Sequence, residues 1–225
     1  RINTGVTVVI PADGNLYQRK LPAAIYVANG YGKLAGLSQV RELGEIETPI
    51  ALTNTLNVPE GITALVEWTL ARPGNEEVRS VNAVVGETND GFLNDIRARA
   101  LNKDHFLEAI RAAESGTVAE GAVGAGTGTI AFGFKGGIGT ASRRFEAGGR
   151  EYTLGVLVQC NYSWGGEDLR LGGRRVSKLL PVDEHCFTDP AIERHVDWYP
   201  YCDESEASTI SERTRDGSII VVVAT

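Results

Sequence analysis

Short apolar runs bounded by Gly, Pro and Asn recur along the chain, at residues 6–10, 23–27, 50–53, 81–85, 129–134, 152–158 and 219–224. Each has the length of a β-strand. Most are apolar at consecutive rather than alternate positions, which predicts strands in sheets covered on both faces. Two stretches change to helical spacing. Pro59-Glu60 opens the first behind a candidate cap at Asn57, with Ile62, Leu65, Val66 and Leu70 on one stripe. Asn102 caps the second, with Phe106, Leu107, Ile110 and Ala113 as its buried face. No segment repeats. Strands outnumber helices, so the pattern predicts an α/β or α+β domain of layered sheets and helices.

At 225 residues the chain is long enough for one sizeable core. Its formal net charge of −7 is confined to one place. Between Asp183 and Glu206 lie eight acids and a single base, Arg194, so the rest of the chain is balanced. A balanced body lacks the basic face that nucleic acid requires. No apolar run approaches the ~20 residues that span a bilayer as a helix. Three cysteines, Cys160, Cys186 and Cys202, make no disulfide framework. The chain has no Met, begins almost at once in an apolar run and stops in another, so both ends read as cut from a longer protein.

Gly is concentrated between Gly116 and Gly139. A dinucleotide fingerprint starting at Gly124-x-Gly126 needs Gly at position 129, where Thr129 stands, and no Gly-Lys-Ser/Thr follows. What remains is backbone that packs closely and offers bare N–H groups, either as tight turns or as donors to an oxyanion.

Chemistry is concentrated at a few other positions. Gly217-Ser218 opens the last apolar run directly after a charged stretch. Such a junction is either a turn or the site of a self-cleaving nucleophile. Scission there gives Ser218 both a hydroxyl and a free α-amine as its base. That amine, with an unperturbed pKa of ~7.7–8.0, is partly neutral near pH 7. Asn161 follows residues 152–158 and is either a strand-end turn residue or an amide donor to an oxyanion. Glu87 emerges from the run at 81–85, where a carboxylate is costly unless paired. Arg97 or Arg99 would neutralise it structurally, and a substrate ammonium would do so functionally. On an extended strand Asn89 shares the side of Glu87 and lines the same pocket. Glu120 is a second acid, suited to holding the Gly-rich turn. Lys135 either supports the cut site electrostatically or is a surface residue. In the acidic stretch the spacing of His185, Cys186, His195 and Cys202 matches no usual structural zinc pattern, so no metal is expected. That stretch, which also carries Trp198, Tyr199 and Tyr201, reads as an acidic aromatic flap or a subunit contact.

Seven ordered motifs then narrow the reading. They are Pro49-Ile50-Ala51-Leu52-Thr53-Asn54-Thr55, Val84-Val85-Gly86-Glu87, Leu93-Asn94-Asp95, Val118-Ala119-Glu120-Gly121, Phe134-Lys135-Gly136-Gly137-Ile138-Gly139-Thr140, Gly155-Val156-Leu157-Val158-Gln159-x-Asn161, and Ser218 before Ile-Ile-Val-Val-Val-Ala-Thr. In this order they closely resemble the L-aminopeptidase/D-esterase family, which includes the β-peptidyl aminopeptidases and is related in fold to the ornithine acetyltransferases. The resemblance covers nearly the whole chain except residues 162–217.

The resemblance implies a four-layer α-β-β-α sandwich and a precursor that cuts itself before a Ser into a larger α and a smaller β piece. Residues 1–217 would be α piece, with an acidic insertion at 183–206, and residues 218–225 the first strand of the β piece. It implies Ser218 as nucleophile, Gly217–Ser218 as the bond cut, Asn161 as oxyanion donor and Glu87 as the acid that holds the substrate's free amine. It implies no cofactor. The expected partners are the chain's own β piece, further copies in a homo-oligomer, and short peptides, aminoacyl amides or esters, with no nucleic acid and no membrane. An acyltransferase passing its acyl group to an amine, and an uncut scaffold without activity, are the competing readings. A Ser nucleophile together with Glu87 favours the peptidase over the acyltransferase, which uses Thr.

Overall fold

The computed structural model describes residues 1–28, 30–162, 169–176 and 217–225. The first sheet forms early in the chain. β1 (Thr7–Val9) runs antiparallel to β4 (Ile50–Asn54), with Val8 opposite Ala51. Between them lie a short antiparallel pair, β2 (Leu21–Pro22) with β3 (Glu45–Ile46), and helix α1 (Leu37–Leu43). After β4 the chain crosses through α2 (Val58–Leu70) to β5 (Val84–Thr88), which lies parallel to β4 with Thr53 opposite Glu87. Helix α3 (Lys103–Arg111) then packs beside α2.

One face of this sheet carries both helices. Ala51 and Val85 point into a cluster with Val58, Ala64, Leu65, Phe106 and Ile110, and Phe106 is wholly buried. The opposite face meets a second sheet. That sheet is a long hairpin, β8 (Gly137–Ala147) with β9 (Arg150–Asn161), extended by β12 (Ser218–Ala224) in the order β12-β9-β8. A methyl group on Gly86 would stand 3.1 Å from Leu52 Cδ2 and 3.4 Å from Ile220 Cδ1. The bare glycine therefore lets the two sheets close on each other. Helices, first sheet and second sheet are three successive layers of the expected α-β-β-α sandwich.

Several expectations need correction. Residues 23–27 are not a strand: Tyr26 is 90% exposed and, among the described residues, the backbone pairs only through Ala23 N–H to Gly44 O, at 2.8 Å. The run at 129–134 divides into β6 (Ile130–Ala131) and β7 (Phe134–Lys135). The turn between them holds Phe132 at φ 54° and Gly133 at φ 78°, the left-handed pair that a tight hairpin needs. Of β12 the described residues cover one face: Ile220 and Val222 face the first sheet, while Ile219, Val221 and Val223 on the other face are 48, 51 and 58% exposed. β5 begins at Val84, not at residue 81. A further short hairpin pairs β10 (Arg170–Leu171) with β11 (Arg174–Arg175).

The helix ends also differ from expectation. Asn102 caps α3 as read, accepting from Asp104 N–H at 3.0 Å. Asn57 does not cap α2 with its side chain. It donates instead to Leu101 O at 2.8 Å, while Asn54 caps the preceding 3-10 turn. Leu70 and Ala113 lie outside the buried stripes, Ala113 beyond the end of α3. The acidic stretch 183–206, with its Cys, His and aromatic residues, lies outside the described residues. Among those described, no helix is long and apolar enough to cross a membrane and no cluster of three His, Cys, Asp or Glu could hold a metal ion.

Candidate active site

β12 pairs antiparallel with β9 so that Ser218 lies opposite Asn161 and Ile220 opposite Gln159. These four residues share the inner face of the second sheet, where the ends of β4 and β5 approach. The side-chain amide of Asn161 donates to Ser218 Oγ at 3.2 Å and to Asn89 O at 2.7 Å. The Asn89 N–H, just past β5, also donates to Ser218 Oγ at 3.2 Å. Two N–H groups from separate strands therefore converge on one hydroxyl oxygen.

The orientation of the Asn161 amide has a cause. Its Oδ1 accepts from Ile130 N–H at 3.1 Å, leaving Nδ2 to face Ser218. Ile130 is supplied by the Gly-rich segment. Lys135 Nζ holds that segment by donating to three carbonyls, Gly126 O at 2.8 Å, Thr129 O at 3.0 Å and Gly136 O at 2.8 Å. Lys135 is an exposed residue whose amine is turned onto these carbonyls, and partial burial of the amine draws it below the usual lysine range. Glu120 takes the holding role read for it. Its Oε1 accepts from Thr140 N–H at 2.8 Å and Thr140 Oγ1 at 2.5 Å, and these bonds lower its carboxyl pKa.

Gly217 has no room for a side chain. A Cβ there would stand 2.8 Å from Tyr162 Cα and 3.1 Å from Asn161 O. The residue before Ser218 is therefore restricted to glycine by contact with β9 and Tyr162.

Glu87 does not bond to Ser218. It lies two residues before Asn89, or about 7 Å along an extended strand, and is only 5% exposed. Its Oε1 accepts from Lys33 N–H at 3.0 Å and its Oε2 from the Thr55 hydroxyl. Arg99 pairs with Glu60 instead, and among the described residues no lysine or arginine pairs with Glu87. Asn89 reaches Ser218 through its backbone. Its side-chain Oδ1 accepts from Gly91 N–H at 2.9 Å, in the turn that follows.

Two residues escaped the sequence reading. Gln159 is fully buried, and the two hydrogens of its amide nitrogen are shared among three acceptors, Thr88 Oγ1 at 2.7 Å, Ala125 O at 3.2 Å and Thr53 O at 3.4 Å. It ties β4, β5 and the Gly-rich turn to β9 directly behind Asn161. A glutamine two places before Asn161 in an apolar run was the available signal. Asp90 is also buried, accepts from Asn94 Nδ2 at 3.0 Å, and keeps Oδ2 unpaired among the described residues.

Burial pushes the Asp90 carboxyl above its usual range. The Thr4 and Asn94 side chains oppose the shift and the charge of Glu87 adds to it. The folded state then holds this proton more tightly than the unfolded chain. The resulting stabilisation is complete below the unfolded pKa of ~3.9 and is lost as pH rises through the folded value. Urea unfolding from pH 4 upward should therefore show the wild type losing stability relative to Asp90→Asn, until the carboxyl is fully ionised. A difference independent of pH would mean that Asp90 is not shifted.

The whole chain, residues 1–225, matches the model of peptidase family S58. The chain belongs to peptidase family S58. Among S58-like relatives, the beta-peptidyl aminopeptidase of Sphingosinicella xenopeptidilytica is 43% identical over 178 residues, 79% of this chain and 44% of that protein. The solved structure of a Burkholderia sp. beta-aminopeptidase is 45% identical with a TM-score of 0.74, over 80% of this chain and 50% of the other. That of the L-aminopeptidase D-Ala-esterase/amidase of Ochrobactrum anthropi, described as a variant of the Ntn-hydrolase fold, is 29% identical with a TM-score of 0.69, over 99% and 50%. This S58 chain spans about half the length of the curated relatives it matches. Its α/β fold is the one these structures share.

Proposed function

We propose that this S58 chain carries the cut site and most of the pocket of a self-processed aminopeptidase with an N-terminal serine nucleophile. The observation that carries the reading is the convergence of Asn161 Nδ2 and Asn89 N–H on Ser218 Oγ, next to a glycine that nothing larger can replace.

In the first reaction Ser218 Oγ attacks the Gly217 carbonyl carbon. The C–N bond breaks, the proton passes to the departing nitrogen, and an ester to Ser218 Oγ is left. Breaking the C–N bond has already freed the Ser218 α-amine, and water then hydrolyses the ester to release the Gly217 carboxylate and restore the Ser218 hydroxyl. In the second reaction the α-amine takes the hydroxyl proton as Oγ attacks the substrate carbonyl, then returns it to the leaving amine. Asn161 donates to the developing oxyanion, and the Asn89 N–H is placed to help. Water then releases the acyl group. Nucleophile, base and donors all come from the protein, so this chemistry calls on no metal or cofactor.

Glu87 selects the substrate. A buried carboxylate held by two neutral donors, with no cation among the described residues, is suited to take up an ammonium group. The substrates that fit are short peptides, aminoacyl amides or esters with a small residue at a free N-terminus. N-acetylated substrates should be refused, because they leave the carboxylate unpaired. Glu87→Gln should lose activity mainly on free-amine substrates. The test is the rate on an aminoacyl amide against its N-acetyl form in the full-length protein. Equal rates in the wild type would leave an amidase or acyltransferase on the same scaffold.

A further inference from the structure

We propose that Thr55 completes the amine-reading site with Glu87 and restricts it to a primary ammonium group, an inference that rests on the Glu87 reading above. Thr55 is the first residue past β4, in the 3-10 turn whose Leu56 and Asn57 N–H groups are held by the Asn54 side chain at 3.1 Å. Because β4 and β5 are parallel, with Asn54 opposite Thr88, both strands deliver their C-terminal ends to one edge. Thr55 therefore stands beside Glu87 on a turn that is itself pinned.

Counting donors and acceptors leads to the specificity. An ionised carboxylate has about four lone-pair sites. On Glu87, Lys33 N–H uses one on Oε1 and the Thr55 hydroxyl uses one on Oε2, so each oxygen keeps one. The Thr55 hydroxyl has its proton committed to Glu87, which leaves its oxygen free to act only as an acceptor toward a ligand. Oε1, Oε2 and Oγ1 thus offer three acceptor atoms. A primary ammonium has three N–H bonds to place. The secondary ammonium of an N-methylated residue or an N-terminal proline has two, and it brings carbon against a polar acceptor. The site is therefore matched to peptides and aminoacyl amides whose N-terminus is unsubstituted.

The experiment measures kcat and KM of the self-processed full-length protein on alanyl, N-methylalanyl and N-acetylalanyl p-nitroanilides, for the wild type, Thr55→Ser and Thr55→Val. The wild type should prefer the primary amine over the N-methyl form by about 10-fold or more. Thr55→Val should lose about 10–100-fold on the primary amine, chiefly in KM, and less than about 3-fold on the N-methyl substrate. Thr55→Ser should stay near the wild type. An equal loss on both substrates, or a Ser variant as impaired as the Val variant, would overturn the proposal. So would equal wild-type rates on primary and N-methyl substrates, a comparison that needs no variant to fold. If the wild type also accepts the N-acetyl substrate, the Glu87 reading itself fails; if it refuses that substrate but ignores the methyl group, only the Thr55 role fails.

Discussion

Replacing Ser218 with Ala in the full-length protein is expected to leave a single uncut chain with no aminopeptidase activity. On the proposed mechanism one hydroxyl serves both reactions, so both should vanish together. Loss of a serine nucleophile costs on the order of 10⁶-fold in turnover in enzymes of comparable logic. The fold should survive, because Ser218 is only half-buried and contributes only its hydroxyl to the bonds with Asn161 and Asn89. Gel mobility and urea unfolding of the purified variant check both halves of this expectation. If the chain still splits at the same bond when pure, the attacking group is not Ser218.

Asn161→Ala should process and fold but turn over on the order of 10²–10³-fold more slowly, with KM little changed. On the proposed mechanism the donor lost is used in the transition state, where charge develops on the carbonyl oxygen. Asn161→Asp should be at least as damaging. One carboxylate oxygen can still accept from Ile130 N–H, but the other faces Asn89 O and Ser218 Oγ, where the wild type presents a donor. An acceptor set against the Asn89 carbonyl is repulsive, the Ser218 hydroxyl can then only turn its proton toward the carboxylate, and an anion beside a developing oxyanion is worse than nothing. Steady-state kinetics on aminoacyl amides would decide the matter: normal kcat in a cleaved, folded Asn161→Ala protein removes this amide from the mechanism.

Local signals made part of the molecule legible. The capping of α3 by Asn102 and the apolar run of β4 depend on neighbouring residues, so the pattern alone located them. β8 was hidden. Its glycines 137 and 139 read as turns, and its outer half, with Arg143, Arg144 and Glu146, is exposed and polar like a loop. Only pairing with β9, from Gly137 opposite Cys160 to Ala147 opposite Arg150, makes it a strand. β12 is as apolar on its outward face as on its inward one, though the described residues cover only the inward face.

The candidate site shows the same division. Ser218, Gly217, Asn161 and Glu87 stood out as candidates by type and by their places at strand ends, and the family resemblance supplied the roles proposed for them. Their partners were not. The contact of Ser218 with Asn161 spans 57 residues, that of Asn89 with Ser218 spans 129, and the bond from Lys33 to Glu87 spans 54. Such distances are closed by sheet register, which no short window of sequence carries. The arginines near Glu87 in the chain drew attention for the same reason. Proximity in sequence suggested Arg99, whereas the fold gave that side chain to Glu60 and left Glu87 with neutral donors.

The claim that Ser218 becomes an N-terminal nucleophile is tested most directly by sequencing the N-terminus of the smaller fragment from purified full-length protein. The account predicts two fragments, the smaller beginning Ser218-Ile219-Ile220-Val221. An active protein that stays in one piece, or a fragment that begins at any other residue, would contradict it.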